Sequence, residues 1–111
     1  MKDTPLAGED DNSPDLTAVP PGAIVRTLKI INQKGLHARA SAKFVQTVEK
    51  FDVDVRVSRG GETVGGTSIM GLMMLAAGPG ADITVVVSGK EATEGLAALE
   101  ALINSRFGED D

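Results

Sequence analysis

Val53-Asp54-Val55-Arg56-Val57-Ser58-Arg59-Gly60-Gly61-Glu62-Thr63-Val64-Gly65 is the stretch that decides the fold. Val53, Val55 and Val57 alternate with Asp54, Arg56 and Ser58, and a period of two places alternate side chains on opposite faces of a strand. Arg59-Gly60-Gly61 supplies a turn, because glycine reaches the positive φ that tight hairpin connections need. The chain returns through Glu62 to Gly65, so the stretch reads as a β-hairpin with one apolar face. A two-stranded ribbon is not stable alone in water, so the flanking segments must supply more strands and a cover.

On the amino-terminal side, residues 38–51 turn helical. Ala40, Phe44, Val48 and Phe51 follow one another at spacings of four, four and three, while Arg39, Lys43, Gln46 and Lys50 line another face. A loop of Asn32, Gln33, Lys34 and Gly35 precedes this helix, and residues 24–31 read as a strand with Leu28 and Ile30 opposite Thr27 and Lys29. On the carboxy-terminal side, Ser68 is placed to cap a short apolar helix over residues 69–77, stopped by Gly78-Pro79-Gly80. Ile83, Val85 and Val87 form a fourth strand. Ser88 and Glu91 fit a capping box that opens a last helix, whose stripe is Leu96, Leu99, Ile103 and Phe107 and whose stop is Gly108. The order βαββαβα predicts an α+β domain: a four-stranded antiparallel sheet, covered on one face by three helices and open on the other.

The chain has 111 residues, 41% of them hydrophobic but only 3% aromatic, so one small aliphatic core is expected and a large multidomain enzyme is excluded. The absence of cysteine rules out disulfides, thiolate metal sites and a cysteine nucleophile, and a single histidine leaves little scope for a metal cluster; neither metal nor cofactor is expected. The net charge of −5 gathers at the ends. Lys2 stands against Asp3, Glu9, Asp10, Asp11 and Asp15, and Glu109-Asp110-Asp111 closes the chain, whereas residues 23–108 hold ten Lys and Arg against eight Asp and Glu. No basic stripe interleaves with aromatics, so a nucleic-acid partner is not indicated. Residues 1–22, with four of the five prolines and many acids, read as a disordered tail, and Glu109 to Asp111 as a solvated end. No apolar run suits a signal peptide or a membrane span, so a cytoplasmic protein is the default, and with no oligomerisation motif evident a monomer is expected.

His37 carries the chemistry. It sits between a glycine-containing loop and a helix start, where the N–H groups of Ala38 and Arg39 favour an anion by roughly 0.3–1 kcal/mol. Arg39 adds a planar donor fork suited to phosphate oxygens. A neutral imidazole is a competent nucleophile, so these parts compose a site able to take a phosphoryl group on nitrogen and hold it loosely. No Walker loop or Mg-binding carboxylate cluster accompanies it, so the phosphoryl group must come from a donor protein. An exposed histidine at a helix start is also an ordinary structural feature. Ser41, one turn away, suggests a hydrolase pair only weakly, since no acid is placed to orient the imidazole; a serine bonded back to its own turn is expected.

Gly35-Leu36-His37-Ala38-Arg39-Ala40-Ser41-Ala42-Lys43-Phe44-Val45 resembles the active-site segment of the HPr family, the histidine-containing phosphocarriers of the phosphoenolpyruvate-dependent phosphotransferase system. Gly66-Thr67-Ser68-Ile69-Met70-Gly71-Leu72-Met73 resembles that family's second motif, around a regulatory serine. The resemblance runs over residues 24–107 and implies an HPr-like open-faced β-sandwich. It implies that His37 accepts phosphate at Nδ1 from enzyme I and passes it to an enzyme IIA, with Arg39 stabilising the phosphoryl group. It further implies phosphorylation of Ser68 by an HPr kinase/phosphorylase, and a partner surface of Leu36, Arg39, Ala42, Ile69, Met70 and Met73. Ala40 departs from the family, most members of which have proline there; together with Ser41 it resembles members from alphaproteobacteria, often tied to regulatory systems. Ala preserves a helix as well as proline does in the first turn.

Two readings have plain structural counterparts. Ser68 can serve as an N-cap for Gly71 N–H without being modified. Ile69, Met70, Met73 and Met74 can pack in a core, although a short helix cannot bury every face against one sheet, which leaves Met70 expected at a docking surface. The alternative to a carrier is a regulatory interaction module, binding targets through the second helix and Ser68 while His37 phosphate acts as a signal.

Overall fold

The computed structural model describes residues 19–109. β1 (Ile24–Lys29), α1 (Ala38–Val48), β2 (Asp54–Arg59), β3 (Glu62–Gly65), α2 (Ile69–Met74), β4 (Asp82–Ser88) and α3 (Ala92–Asn104) follow in the expected order, and a 3-10 turn (Arg106–Gly108) comes last. The sheet is antiparallel with strand order β1-β4-β2-β3. Residues 1–18 of the expected tail, and Asp110 and Asp111 of the expected acidic end, lie outside the described residues.

β4 reaches the centre because its alternate residues Ile83, Val85 and Val87 are the most completely apolar set in the sheet, and all three are fully buried beneath the helices. Val55 and Val57 of β2 continue that face. Gly60 and Gly61, at φ of 59° and 85°, close the hairpin as its spacing demands. The open face carries a row of hydroxyls in which Thr27 pairs Thr84 and Ser58 pairs Thr63, the two inner residues being register partners.

The stripe Ala40, Phe44 and Val48 anchors α1, and Leu96, Leu99, Ile103 and Phe107 anchor the last helix and turn, all of them buried. α1 and α2 end earlier than the sequence reading. α1 stops at Val48, three residues early, and α2 at Met74, with Ala76 in a left-handed φ of 53°. The expected capping box of Ser88 and Glu91 does not form. Ser88 is the last residue of β4, Gly89 turns the chain at φ of 115°, and Glu91 itself is the N-cap of α3. The Glu91 carboxylate instead accepts from Asp52 N–H at 2.7 Å, so it ties the helix start to the loop before β2.

Candidate functional site

Asn32 to Leu36 bring the chain from the end of β1 to the start of α1. Ile30 N–H donates to Ala81 O and Ile30 O accepts from Gly80 N–H, so this connection leaves the sheet beside the chain entering β4. Leu36 is then sunk into the core at 5% exposure. That burial corrects its assignment to a partner surface: an aliphatic side chain next to the site is worth more beneath it, where it fixes the backbone of its neighbour.

His37 follows as the N-cap of α1, with φ of −71° and ψ of −178°. Its Nδ1 accepts from the Arg39 N–H at 3.2 Å. An acceptor nitrogen must carry the lone pair, so the ring proton belongs on Nε2. Nε2 lies 2.8 Å from Glu109 Oε2, the geometry of an N–H donating to a carboxylate. The His37 side chain keeps 28% of its surface and Glu109 14%, so the pair is half-sheltered, neither entombed nor loose.

Glu109 is the residue that sequence reasoning missed. The sequence pattern makes it part of a solvated end and places no acid near the imidazole. The structure delivers it there because Phe107 is a buried anchor at the foot of α3, and the turn after it folds back over the start of α1. Asn32 completes the arrangement, its Nδ2 donating to Gly35 O and to Glu109 Oε2, both at 2.8 Å. These contacts set the Glu109 carboxyl below its ordinary value: the Asn32 amide does most, partial burial opposes it, and His37 and the backbone of Lys34 add to it. An apolar Phe107 followed by Gly108 and the first acid of the closing run, Glu109, was the available signal.

Arg39 is exposed, and with Lys34, Lys43 and Glu109 it lines a cleft whose floor includes His37, Ala38 and Phe107. Among the described residues neither Lys34 nor Arg39 forms an ion pair. Of the two helix-start amides, that of Arg39 is engaged by His37 itself. Ser41 is buried and donates to Leu36 O at 3.1 Å, away from any role with His37.

Ser68 stands apart, as the exposed N-cap of α2, accepting from Gly71 N–H at 2.9 Å. Beyond it Ile69, Met70, Met73 and Met74 are exposed, Met70 at 68% and Met74 at 73%, and only Leu72 of the helix is buried. α2 packs on α1, so this apolar surface adjoins the helix that carries His37.

The family model described as the PTS HPr component phosphorylation site matches residues 24–105. The chain belongs to the HPr family of phosphocarriers. It is 50% identical to the phosphocarrier protein HPr of Cupriavidus necator over 86 residues, covering 78% of this chain and 97% of that one. Identity to the HPr of Neisseria meningitidis is 48% over the same length. A crystal structure of HPr-C-His from Thermoanaerobacter tengcongensis superposes with a TM-score of 0.75 at 39% identity, covering 79% of this chain and 99% of that chain. The phosphocarrier HPr of Bacillus anthracis gives 0.71 at 38% identity, over 74% and 98% of the two chains. The HPr-like fold read from the sequence is thereby shown. No helix among the described residues is long and apolar enough to cross a membrane.

Proposed function

We propose that this HPr-family chain accepts a phosphoryl group on His37 Nδ1 from enzyme I and passes it to an enzyme IIA, in a sugar-transport or regulatory phosphotransferase system. The observation that carries the reading is the Nδ1 lone pair of His37, held at a helix N-terminus beside a cleft lined by the cations of Lys34 and Arg39. The lone pair forms the bond to phosphorus as the donor's bond breaks, the leaving electron pair remaining with the donor. An occupied Nδ1 no longer accepts from Arg39 N–H, so that amide becomes available to a phosphoryl oxygen, as does Ala38 N–H. The Arg39 guanidinium supplies a mobile fork from the exposed side. A ring that is mostly sheltered yet keeps 28% of its surface suits a group that must leave again. The protein is then a stoichiometric intermediate and not an independent catalyst, working in the cytoplasm as a monomer.

Docking falls to Arg39, Ala42, Ile69, Met70 and Met73, with Leu36 supporting from beneath. Methionine side chains re-pack easily, which suits a surface that meets two partners in turn. Ser68 is accessible to an HPr kinase/phosphorylase, and a phosphate there sits at the start of α2, where a dianion changes the docking field. The exposed apolar surface of α2 also favours a second reading, a regulatory module whose phosphorylation state signals without onward transfer.

Incubation with phosphoenolpyruvate and enzyme I separates the two. The carrier reading expects acid-labile phosphate that disappears in His37→Ala and moves to an enzyme IIA. Modification that goes no further supports the module, and no modification at all defeats both.

A further inference from the structure

The strap from Arg106 to Glu109 has no task in simple phosphate carrying, yet three features there work against ordinary preference. Arg106 and Phe107 adopt left-handed φ of 59° and 57° ahead of Gly108, which non-glycine residues do only where their surroundings impose it. Asn32, fully buried, directs its amide group at Gly35 O and Glu109 Oε2 and leaves Oδ1 without a partner among the described residues, an exception among buried polar atoms. Lys43, on the polar side of α1, turns its ammonium onto Phe107 O at 2.7 Å. All three converge on one result: they set Glu109 Oε2 2.8 Å from His37 Nε2.

We infer that Glu109 is a positioning residue for phosphoryl acceptance, held by Asn32 and Lys43 so that its carboxylate keeps the proton on Nε2 and neutralises the ring once Nδ1 is phosphorylated. The inference rests on the carrier reading of His37. When the Nδ1 lone pair becomes the nitrogen–phosphorus bond and the donor keeps its own electron pair, the Nε2 proton stays in place. The imidazole therefore passes from neutral to cationic, its charge shared by both nitrogens. A hydrogen bond between two charged groups is stronger than one with a neutral donor, so Glu109 favours the phosphorylated state over the free one. On departure of the phosphoryl group the ring returns to neutral and the contact to its present form.

The test uses the full chain as wild type, Glu109→Gln, Glu109→Ala and Lys43→Met. The partition of phosphate between enzyme I and the carrier at equilibrium is read by phosphorus NMR, and the His37 ring by nitrogen-15 NMR. Glu109→Gln keeps an acceptor but loses the charge, and it should lower the equilibrium constant for phosphorylation by about fivefold. Glu109→Ala should in addition lose the slowly exchanging Nε2 proton. Lys43→Met, which frees the strap without touching the ring, should lower the constant by about twofold at an unchanged melting temperature. A Glu109→Gln protein that partitions phosphate as wild type does, with an unchanged Nε2 resonance, overturns the inference while the carrier reading stands. A wild type that takes no phosphate overturns the carrier reading, and the neutralising role with it.

Discussion

Leu36 N–H donates to Ala77 O at 2.9 Å, which pins the residue before His37 to the chain leaving α2. The phosphoryl site and the Ser68 helix therefore share a seam. Gly35 lies in it at φ of 63°, where a Cβ would overlap Ala77 O and come within 2.8 Å of Gly78 Cα. Both neighbours are backbone and cannot swing aside.

Gly35→Ala is accordingly expected to cost about 2–4 kcal/mol, from strain and overlap together. Gly60→Ala provides the comparison, since Gly60 has a similar φ of 59° but open space around it. Its cost should be about 1 kcal/mol, the left-handed penalty alone. Urea denaturation of the two variants measures the difference, and equal losses would show that the seam is not tight.

Ser68→Ala removes the acceptor of Gly71 N–H and should destabilise the protein by about 1 kcal/mol, whereas Ser68→Asp, another good cap, should stay within about 0.5 kcal/mol of wild type. Thermal unfolding checks the order. If the Asp protein loses as much as the Ala protein, the side chain is not acting as a cap, and a negative charge at that position cannot be assumed compatible with the helix.

Local pattern made most of the fold legible. Val55, Val57, Ile83, Val85 and Val87 alternate and are buried, and Ala40, Phe44 and Val48 keep a helical period and are buried. His37 at the start of α1 and Ser68 at the start of α2 follow from loop and cap chemistry that operates within a few residues. What was illegible depends on distant segments meeting. Glu109 reaches His37 across 72 positions, and Glu91 reaches Asp52 across 39 in place of closing its own capping box. Leu36 looked like a surface residue because its motif carries the site, but the core claimed it.

Met70, at 68% exposure, contributes little to the core, so Met70→Ala should change stability by no more than about 0.5 kcal/mol. If α2 is the docking surface, the same variant should raise the KM of enzyme I for this protein by about fivefold or more. Val25→Ala serves as the control, because Val25 is exposed on the open face of the sheet, away from α2. A KM altered equally by both substitutions, or by neither, would remove α2 from the interface.

The Glu109 carboxyl titrates below its ordinary value of 4.5 in the folded chain, with the Asn32 amide as the largest cause. A group lowered by folding contributes stability that is fully present above the unfolded value and is lost as pH falls through the folded one. The window therefore opens below pH 4.5 and extends downward. Between pH 5 and that window the stability of wild type over Glu109→Gln should be constant, and it should shrink as acid protonates the carboxylate. In Asn32→Ala the principal cause is gone, so the Glu109 titration, followed by carbon-13 NMR of its carboxyl, should move back toward the ordinary value. Were wild type and Glu109→Gln to show stability curves of identical slope below pH 4.5, the carboxylate would not be gaining its contacts on folding, and the strap could not be orienting His37.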